Sequence, residues 1–301
     1  MRKPAKVDML RSSWDNREVR ILVTGASGTL GSALCQILQE KHEVIRLKRA
    51  DLDLSRTGEI IPVITSLVPE IIIHTAAMTD VDACEENPEE AYAVNWLGTL
   101  FLARAASTIG AIFLYISTDY VFDGEKGNYM EHDPTNPIQA YGRSKLFGEI
   151  AVRENAEKHY IIRTSWVYGP GGRNFLSRLP AFPAGSELKV VADQVNRPTY
   201  SLDLADMIGR FIALNPPWGI YHITGSGETT PHGFATAVNE LFGRGFELTP
   251  VPGDQFKRPA RRPRNTTLSN FALERGLGLK MPDWRDGLRR YAEWWKKSGK
   301  S

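Results

Sequence analysis

The chain has 301 residues, of which 42% are hydrophobic and 24% are charged, and its formal net charge is +2. This length suits one large domain or two smaller ones with normal hydrophobic cores, and the small net charge argues against bulk electrostatic binding of nucleic acids or membranes. No apolar run approaches the roughly 18 residues that predict a membrane helix, and the spacing of Cys35 and Cys84 is not typical of a metal site.

Residues 1–18 form an N-terminal extension ahead of the first predicted strand. The extension carries charges throughout and lacks the continuous apolar core of a secretory signal. Because both cysteines are expected to be reduced thiols, we expect a cytoplasmic protein. No function is predicted for the extension.

Residues 19–40 have the pattern of a nucleotide-binding strand, turn and helix. Val19–Thr24 is a short apolar run typical of a β-strand, and Ser32–Glu40 has apolar residues at helical spacing. Between them lies a Gly-x-x-Gly-x-x-Gly turn, whose glycines permit a sharp bend and close approach of the backbone to a pyrophosphate. The amino end of the helix adds free N–H groups and a partial positive charge. The cofactor-binding residues predicted in this turn are Gly25, Ser27, Gly28, Thr29, Leu30 and Gly31.

The second predicted strand, Glu43–Leu47, bears on the choice of cofactor. An acidic residue about 20 positions after the glycine turn would bind the ribose hydroxyls of NAD. Arg46, Lys48 and Arg49 occupy that neighbourhood instead, and cations there suit the additional phosphate of NADP. The alternative is a solvated basic strand end. We therefore expect NADPH as the cofactor, with NADH possible, and Arg46 and Arg49 as ligands.

The remaining pattern alternates apolar strands with helices, which predicts an α/β fold with a doubly wound parallel sheet of the Rossmann type and a smaller C-terminal substrate domain. We predict a dinucleotide-binding domain over residues 19–168. Residues 169–301 are predicted to be mainly substrate-binding, with part returning to the first domain. Other predicted strands are Glu70–His74, Ala111–Ser117, Tyr160–Ser165, Val190–Val191 and Ile220–Thr224, and the other predicted helices are Thr57–Leu67, Pro88–Ser107 and Gln139–Glu157.

Tyr141 and Lys145 are candidates for the proton-handling group of a hydride-transfer enzyme. They are four residues apart, so on a helix they lie on one face. A free phenol has a pKa near 10, and a cation within about 4–6 Å lowers that pKa by roughly 1–3 units, which would give an acid that works near neutral pH. Taken alone, the pair would more often be a surface Tyr and Lys, and the glycine turn is what favours catalysis. Ser117 and Thr118 compete for the role of a hydroxyl that binds the reacting oxygen.

These motifs together resemble the dTDP-4-dehydrorhamnose reductases, within the extended short-chain dehydrogenase/reductases. The glycine turn and the Tyr-x-x-x-Lys pair mark only the superfamily. Ser117–Gly124 (Ser-Thr-Asp-Tyr-Val-Phe-Asp-Gly) and Arg163–Gly169 (Arg-Thr-Ser-Trp-Val-Tyr-Gly) are far more specific. The other matching segments extend the resemblance over nearly the whole chain, and they are Ala76–Asp82, Ala91–Asn95, Asn174–Phe175, Asp193–Gln194, Arg197–Tyr200 and Arg262–Pro263.

The resemblance implies roles for individual residues. It selects Thr118 over Ser117, so that Thr118, Tyr141 and Lys145 form the catalytic set. It also implies that Lys145 bonds the nicotinamide ribose. Besides Tyr141 and Lys145, the further cofactor-binding residues expected on this basis are Asp53, Leu54, Ala76, Ala77 and Asn95.

Substrate contacts are expected from the second half of the chain and from aromatic residues near the motifs. Lys257–Arg264 holds five cations in eight residues. Such a run is usually a solvated loop, but the resemblance places Arg262 near the diphosphate of a nucleotide sugar. Aromatic residues, Tyr168 among them, are expected to frame the sugar, although each is also a plausible core residue. The predicted substrate-binding residues are Tyr120, Trp166, Asn174 and Arg262.

The favoured function is reduction of dTDP-4-dehydro-6-deoxy-L-mannose to dTDP-L-rhamnose, with a nucleotide sugar as the substrate partner. One alternative is a reductase of another nucleotide-linked 4-keto-deoxysugar. Another is a non-catalytic NADP-binding regulatory subunit, like the beta subunit of methionine adenosyltransferase. No histidine pair has ligand spacing on a helix, so no metal is expected, and the expected state is a monomer or homodimer.

Overall fold

The computed structural model describes residues 17–171, 176 and 182–299. Its strands are β1 (Arg20–Thr24), β2 (Glu43–Leu47), β3 (Ile71–His74), β4 (Ile112–Thr118), β5 (His159–Thr164), β6 (Val167–Tyr168), β7 (Glu187–Val191), β8 (Thr199–Tyr200), β9 (Gly219–His222) and β10 (Glu247–Val251). Its α-helices are α1 (Thr29–Leu38), α2 (Thr57–Leu67), α3 (Val81–Glu86), α4 (Pro88–Tyr92), α5 (Thr99–Ile109), α6 (Ala140–Asn155), α7 (Ser201–Leu214), α8 (Pro231–Phe242) and α9 (Trp284–Lys297).

Six parallel strands form the central sheet, in the spatial order β2-β1-β3-β4-β5-β9. This arrangement confirms the prediction of a doubly wound parallel sheet. The direction in which strands are added reverses at β1, between β2 and β3. Open sheets of this kind bind ligands beyond the carboxyl ends of their strands at such a reversal, which places the expected site beside the turn after β1.

Both faces of the sheet are covered, as strand β1 shows. Its side chains alternate between the two faces. Ile21 and Val23 pack into a core that α1 and α7 complete, while Leu22 packs into a second core that includes α2 and α5. Burial on both faces explains why the strands read as continuous apolar runs rather than as alternating ones.

The second half of the chain forms a separate small sheet and also extends the central sheet. Strands β7 and β10 form a separate two-stranded parallel sheet, which packs against α8. Strand β9 instead adds to the edge of the central sheet beside β5, and α7 packs on α1. Helices α7, α8 and α9 were not predicted from the sequence. Within the described ranges, no helix combines the length and the apolar content needed to cross a membrane.

The structure corrects the prediction of one continuous helix over Pro88–Ser107. The structure divides this region into α4, a π-helical turn at Ala93–Gly98, and α5. Asn95 lies within the turn, where its side chain bonds both the N–H and the C=O of Met78, at 2.8 Å and 3.0 Å. A local π-bulge of this kind is frequent near functional sites, and here it lies beside the loop that follows β3.

Candidate active site

A cleft of about 1210 Å³ opens at the carboxyl ends of the central strands. Single small-molecule sites usually measure about 300–1,000 Å³, so this cleft is large enough for more than one ligand. Its walls come from both halves of the chain. The predicted site residues that line it are Gly25, Ser27, Gly28, Thr29, Leu30, Gly31, Arg49, Asp53, Leu54, Ala76, Ala77, Thr118, Tyr120, Tyr141, Lys145, Trp166 and Arg262.

The glycine turn has the geometry that a dinucleotide requires. Gly25 adopts a φ of +66°, and a Cβ there would lie 2.8 Å from the backbone of Ala76. A Cβ on Gly31 would lie 2.1 Å from the carbonyl oxygen of Gly25. Helix α1 begins at Thr29, directly after Gly28, and no side chain caps its first amides. The turn therefore presents open backbone N–H groups and the positive end of a helix to an anion.

The basic residues at the end of β2 and just after it differ in where their side chains lie. Arg49 lines the cleft, where its guanidinium lies 3.5 Å from Asp53 and 3.9 Å from Glu90. Lys48 lines the cleft as well. Arg46 does not, and its guanidinium donates to Gln39 instead. The structure thus brings Arg49, and not Arg46, to the cofactor end of the cleft.

Thr118, Tyr141 and Lys145 converge in the middle of the cleft. Thr118 ends β4, and the other two lie one turn apart near the start of α6. The Gln139 side chain caps that helix by accepting from the Gly142 N–H at 2.7 Å. The Lys145 ammonium donates to the Ile116 carbonyl at 2.7 Å. The first contact stabilises the start of α6, and the second holds the Lys145 side chain against β4.

The electrostatics of this set differ from the expectation. Burial raises the pKa of Tyr141, while a hydrogen bond with Thr118 lowers it. The prediction that Lys145 brings the phenol pKa towards neutrality is therefore wrong for this arrangement, because desolvation is the larger effect. Burial also lowers the pKa of Lys145 to about 7, and the Glu149 carboxylate opposes that shift. The group that titrates near neutral pH is thus Lys145 rather than Tyr141.

Asn95 and Asn174 are the predicted site residues that remain to be placed. Asn95 is fully buried and does not line the cleft. Its amide donates to the Ser144 hydroxyl at 3.0 Å, and that hydroxyl donates to the Tyr141 carbonyl at 2.8 Å. Asn95 therefore holds the start of α6 against the loop after β3. Asn174 lies outside the described residues.

A buried ion pair lies near Lys145 and was not predicted. The Arg163 guanidinium donates to the Glu149 carboxylate through Nε at 2.9 Å and Nη2 at 2.7 Å. The Ser117 hydroxyl donates to the same carboxylate at 2.6 Å. Ser117 is thus engaged away from Thr118. The spacing of Lys145 and Glu149 on one helix face was a signal that the sequence offered.

The substrate end of the cleft is built from aromatic and charged side chains. The rings of Tyr120 and Tyr141 lie 6.1 Å apart. Trp166 has a φ of +41°, a strained value for a bulky residue, and its ring packs 5.1 Å from that of Phe234. Tyr168 does not line the cleft, since it is buried and its hydroxyl donates to the Trp284 carbonyl.

Arg262 reaches the cleft in a fixed position. Its Nη2 lies 2.9 Å from the Asp82 carboxylate, and its Nη1 donates to the Ala260 carbonyl at 2.9 Å. This pair joins α3 to the cationic segment, 180 residues later. Among the other cleft residues from the second half, Gln194 belongs to a segment that matches the family and Arg258 to the cationic run, whereas sequence reasoning did not single out Lys189 or Phe256. In the described part of the chain, no three His, Cys, Asp or Glu side chains are grouped to hold a metal ion.

Comparisons with known proteins agree with this geometry. The family model described as the RmlD substrate binding domain matches residues 19–296. A dTDP-4-dehydrorhamnose reductase from Burkholderia thailandensis is 38% identical over 285 residues, which cover 89% of this chain and 96% of that protein.

Two solved structures extend the comparison. A dTDP-4-dehydrorhamnose reductase from Clostridium acetobutylicum is 39% identical, has a TM-score of 0.88, and is matched over 92% of this chain and 99% of its own. The dTDP-4-dehydrorhamnose reductase from Bacillus anthracis, solved in complex with NADP, is 35% identical with a TM-score of 0.87, over 91% and 99% of the two chains. With a family match across most of its length and relatives at this level of identity, the chain belongs to the dTDP-4-dehydrorhamnose reductase family.

Proposed function

We propose that this protein catalyses the NADPH-dependent reduction of a nucleotide-linked 4-keto-deoxysugar, dTDP-4-dehydro-6-deoxy-L-mannose, to dTDP-L-rhamnose. The observation that carries the proposal is the convergence of Thr118, Tyr141 and Lys145 in one cleft with the glycine turn after β1. The family relatives named for this reaction support the choice of substrate.

The residues of the cleft divide the chemical work between them. The open amides after Gly28 and the start of α1 would hold the cofactor pyrophosphate. When bound, the nicotinamide supplies a hydride to the keto carbon. Tyr141 gives a proton to the keto oxygen, and Thr118 holds that oxygen within reach. Since the pKa of Lys145 is about 7, its ammonium is suited to proton exchange near neutral pH.

Arg262 and its neighbours are suited to the diphosphate of the substrate. The Asp82 carboxylate holds the Arg262 guanidinium at the cleft wall, which reduces the conformational freedom that binding must remove. Arg258 lines the same wall. Two guanidinium groups offer the planar, bidentate donors that phosphate oxygens favour.

Recognition of the additional NADP phosphate by Arg49 gives the first testable expectation. Arg49→Ala should raise the KM for NADPH about tenfold, because a charge-assisted hydrogen bond contributes about 1.5–3 kcal/mol. The KM for NADH should change much less. Steady-state kinetics with both cofactors would measure the two effects.

Arg46→Ala is the matched control for that experiment. It removes an arginine from the same basic stretch, but one whose guanidinium bonds Gln39 away from the cleft. Its KM for NADPH should stay near that of the wild type. Equal increases for NADPH and NADH in Arg49→Ala, or an equally large effect of Arg46→Ala, would contradict phosphate recognition by Arg49.

The function itself is tested with a panel of 4-keto nucleotide sugars, each assayed with NADPH and with NADH. Oxidation of NADPH should be fastest with dTDP-4-dehydro-6-deoxy-L-mannose. A faster reaction with another deoxysugar would favour a related reductase. NADPH binding without turnover on any member of the panel would favour a regulatory subunit.

The domain division at residues 168–169, the cytoplasmic location and the monomeric or homodimeric state stay predictions.

A further inference from the structure

A buried carboxyl group, Asp119, lies in the wall of the cleft and has no part in the chemistry derived above. It follows the end of β4, and its exposure is 3%. Its Oδ1 accepts a hydrogen bond from the Thr118 hydroxyl at 3.1 Å. Its Oδ2 accepts from the Asn196 amide at 3.1 Å and from the Thr266 hydroxyl. Asp119 therefore joins the catalytic strand to two segments from the second half of the chain.

The hydrogen bonds of Thr118 limit what its hydroxyl can do. A hydroxyl has one proton and two lone pairs. In this arrangement the proton goes to Asp119, and Oγ1 accepts from the Tyr120 N–H at 3.2 Å. A keto oxygen only accepts hydrogen bonds, so Thr118 can bind it only when its proton is released from Asp119.

Protonation of Asp119 would release that proton. The Asp119 Oδ1–H then donates to Thr118 Oγ1, and Oδ2 continues to accept from its two partners in the second half of the chain. Both lone pairs of Oγ1 are used, one by Asp119 and one by the Tyr120 N–H. The Thr118 proton is left pointing away from Asp119 and available to an acceptor in the cleft. The hydrogen bonds of Asp119 to its three partners and of the Tyr120 N–H to Oγ1 are all kept.

The charge that develops during the reaction favours the same protonation state. Hydride transfer makes the keto oxygen negative, and an ionised carboxylate next to Thr118 would oppose that charge. Burial raises the pKa of Asp119 to about 6, while the hydrogen bonds from Thr266, Asn196 and Thr118 lower it. A substrate that excludes water from the cleft adds to the desolvation and raises that pKa further. Buried carboxylic acids can donate a hydrogen bond of this kind at neutral pH.

We propose that Asp119 acts as a neutral acid that positions the Thr118 hydroxyl, donating to Thr118 Oγ1 so that Thr118 in turn donates to the keto oxygen of the substrate. Asp119 is a positioning residue, because it acts through Thr118 and does not itself touch the reacting atoms. The inference rests on the proposed reduction. It specifies that Asp119 donates to Thr118 and that Thr118 donates to the keto oxygen.

The pH dependence due to Asp119 must be distinguished from that of the neighbouring titratable groups. In the described ranges, the titratable side chains whose pKa Asp119 influences are Tyr120 in the same turn and Tyr141 on α6, and burial raises the pKa of both. The partners of Asp119 from the second half of the chain are an amide and a hydroxyl, which do not titrate. Lys145 on α6 has a pKa of about 7, which is the nearest of these values to the pKa of Asp119.

The variant Asp119→Asn tests the proposal. An asparagine keeps a carbonyl oxygen for the two second-half partners and presents an N–H to Thr118, so it imitates the neutral acid at every pH. In the wild type, kcat/KM for the 4-keto sugar nucleotide should fall as pH rises above about 6, the pKa of Asp119 in the free enzyme. The variant should lack that step and keep the one due to Lys145. The ratio of variant to wild-type kcat/KM should therefore rise about tenfold or more from about pH 5.5 to about pH 8.

Two further variants separate positioning from a structural role. Asp119→Ala presents neither a donor nor an acceptor to Thr118, so its kcat/KM should lack the step near pH 6 and lie below that of Asp119→Asn, while its Kd for NADPH stays near that of the wild type. In a Thr118→Val background, Asp119→Asn should have no effect on the pH profile, since a residue that acts through Thr118 is silent without it. A uniform loss in Asp119→Asn at every pH, or a profile that follows the wild type, would overturn the proposal.

If Asp119→Asn does not fold, Thr266→Val takes its place. The Thr266 hydroxyl lowers the pKa of Asp119, so its removal should move the step in kcat/KM to higher pH, and an unmoved step would overturn the proposal. The wild-type assay separates the two hypotheses. A wild type that reduces no 4-keto sugar nucleotide refutes the proposed function and this inference with it, whereas an active wild type with an unchanged Asp119→Asn profile refutes only the inference.

Discussion

Replacing Tyr141 with phenylalanine should remove most of the turnover and leave the affinity for NADPH within about twofold of the wild type. A positioned general acid contributes about 10²–10⁴-fold to a rate, so kcat should fall by a factor in that range. The ring itself remains to pack in the cleft, and the glycine turn that would hold the cofactor is untouched. Loss of NADPH absorbance measures kcat, and fluorescence titration measures the Kd.

The environment of Tyr141 keeps its hydroxyl protonated before the reaction begins. Burial raises the pKa of the phenol, so the proton stays on Tyr141 until a basic oxygen develops beside it. Thr118 bonds the same hydroxyl, and Lys145 lies one helical turn along α6. A phenylalanine leaves these two groups in place but with no proton donor between them and the substrate.

Tyr120→Phe is the matched control for this variant. It removes the same hydroxyl from a ring whose centroid lies 6.1 Å from that of Tyr141 and which lines the same cleft. We expect a loss in kcat of less than about tenfold, because no proton is transferred by Tyr120. A comparable loss in both variants, or a Tyr141→Phe enzyme that keeps more than about a tenth of its turnover, would remove Tyr141 from the mechanism.

The parts of the fold and site that could be predicted from the sequence are those that depend on local chemistry. The strand before Gly25 is buried on both faces and therefore appears as a plain apolar run. Gly31 is required by the close approach of the Gly25 backbone, six residues earlier. Tyr141 and Lys145 share a helix face through their spacing alone. Each of these features is contained within a short segment.

Features that depend on distant partners could not be predicted in the same way. The pairing of Arg262 with Asp82 spans 180 residues. The difference between Arg46 and Arg49 depends on which side chain faces Gln39 and which faces the cleft. The direction of the Tyr141 pKa shift depends on burial by both halves of the chain, which outweighed the local rule about a neighbouring cation.

Two of the missed helices, α8 and α9, are a different case, because signals for their starts are present in the sequence. Thr230 accepts from the Gly233 N–H and precedes Pro231, which is a strong helix start. Asp283 caps α9 in a similar way, with its side chain accepting from the Arg285 N–H. These helices could have been predicted from their amino ends, even though the surrounding glycines and prolines obscure the apolar pattern.

The second large effect is expected at the buried ion pair near Lys145. The side chains of Arg163 and Glu149 are 3% and 2% exposed, respectively. Two hydrogen bonds join them, and the Ser117 hydroxyl supplies a third to the carboxylate. Removing one member of such a pair leaves the other charge buried without compensation, which costs about 3–5 kcal/mol.

Glu149→Ala should therefore lower the free energy of unfolding by about 3–5 kcal/mol, measured by denaturant titration of the purified protein. Glu43→Ala is the matched control, since it removes a carboxylate from the exposed pair with Arg20, in which N and O lie 3.0 Å apart. Exposed pairs contribute about 0–1 kcal/mol. The two variants delete the same group from a buried pair and from an exposed pair, so the difference between them measures the additional cost at the buried site, where the carboxylate also accepts more hydrogen bonds.

A double variant distinguishes loss of compensation from loss of the interaction itself. Replacing both charges, as Arg163→Met with Glu149→Leu, removes the buried charge along with its partner and should recover much of the stability, because apolar replacements of buried pairs are often neutral.

Glu149→Ala should also change the pKa of Lys145. The Glu149 charge raises the pKa of Lys145, so without it the ammonium loses its proton at lower pH and kcat/KM should decline earlier as pH rises. A Glu149→Ala protein as stable as Glu43→Ala, with an unshifted pH profile, would show that this pair supports neither the fold nor the lysine.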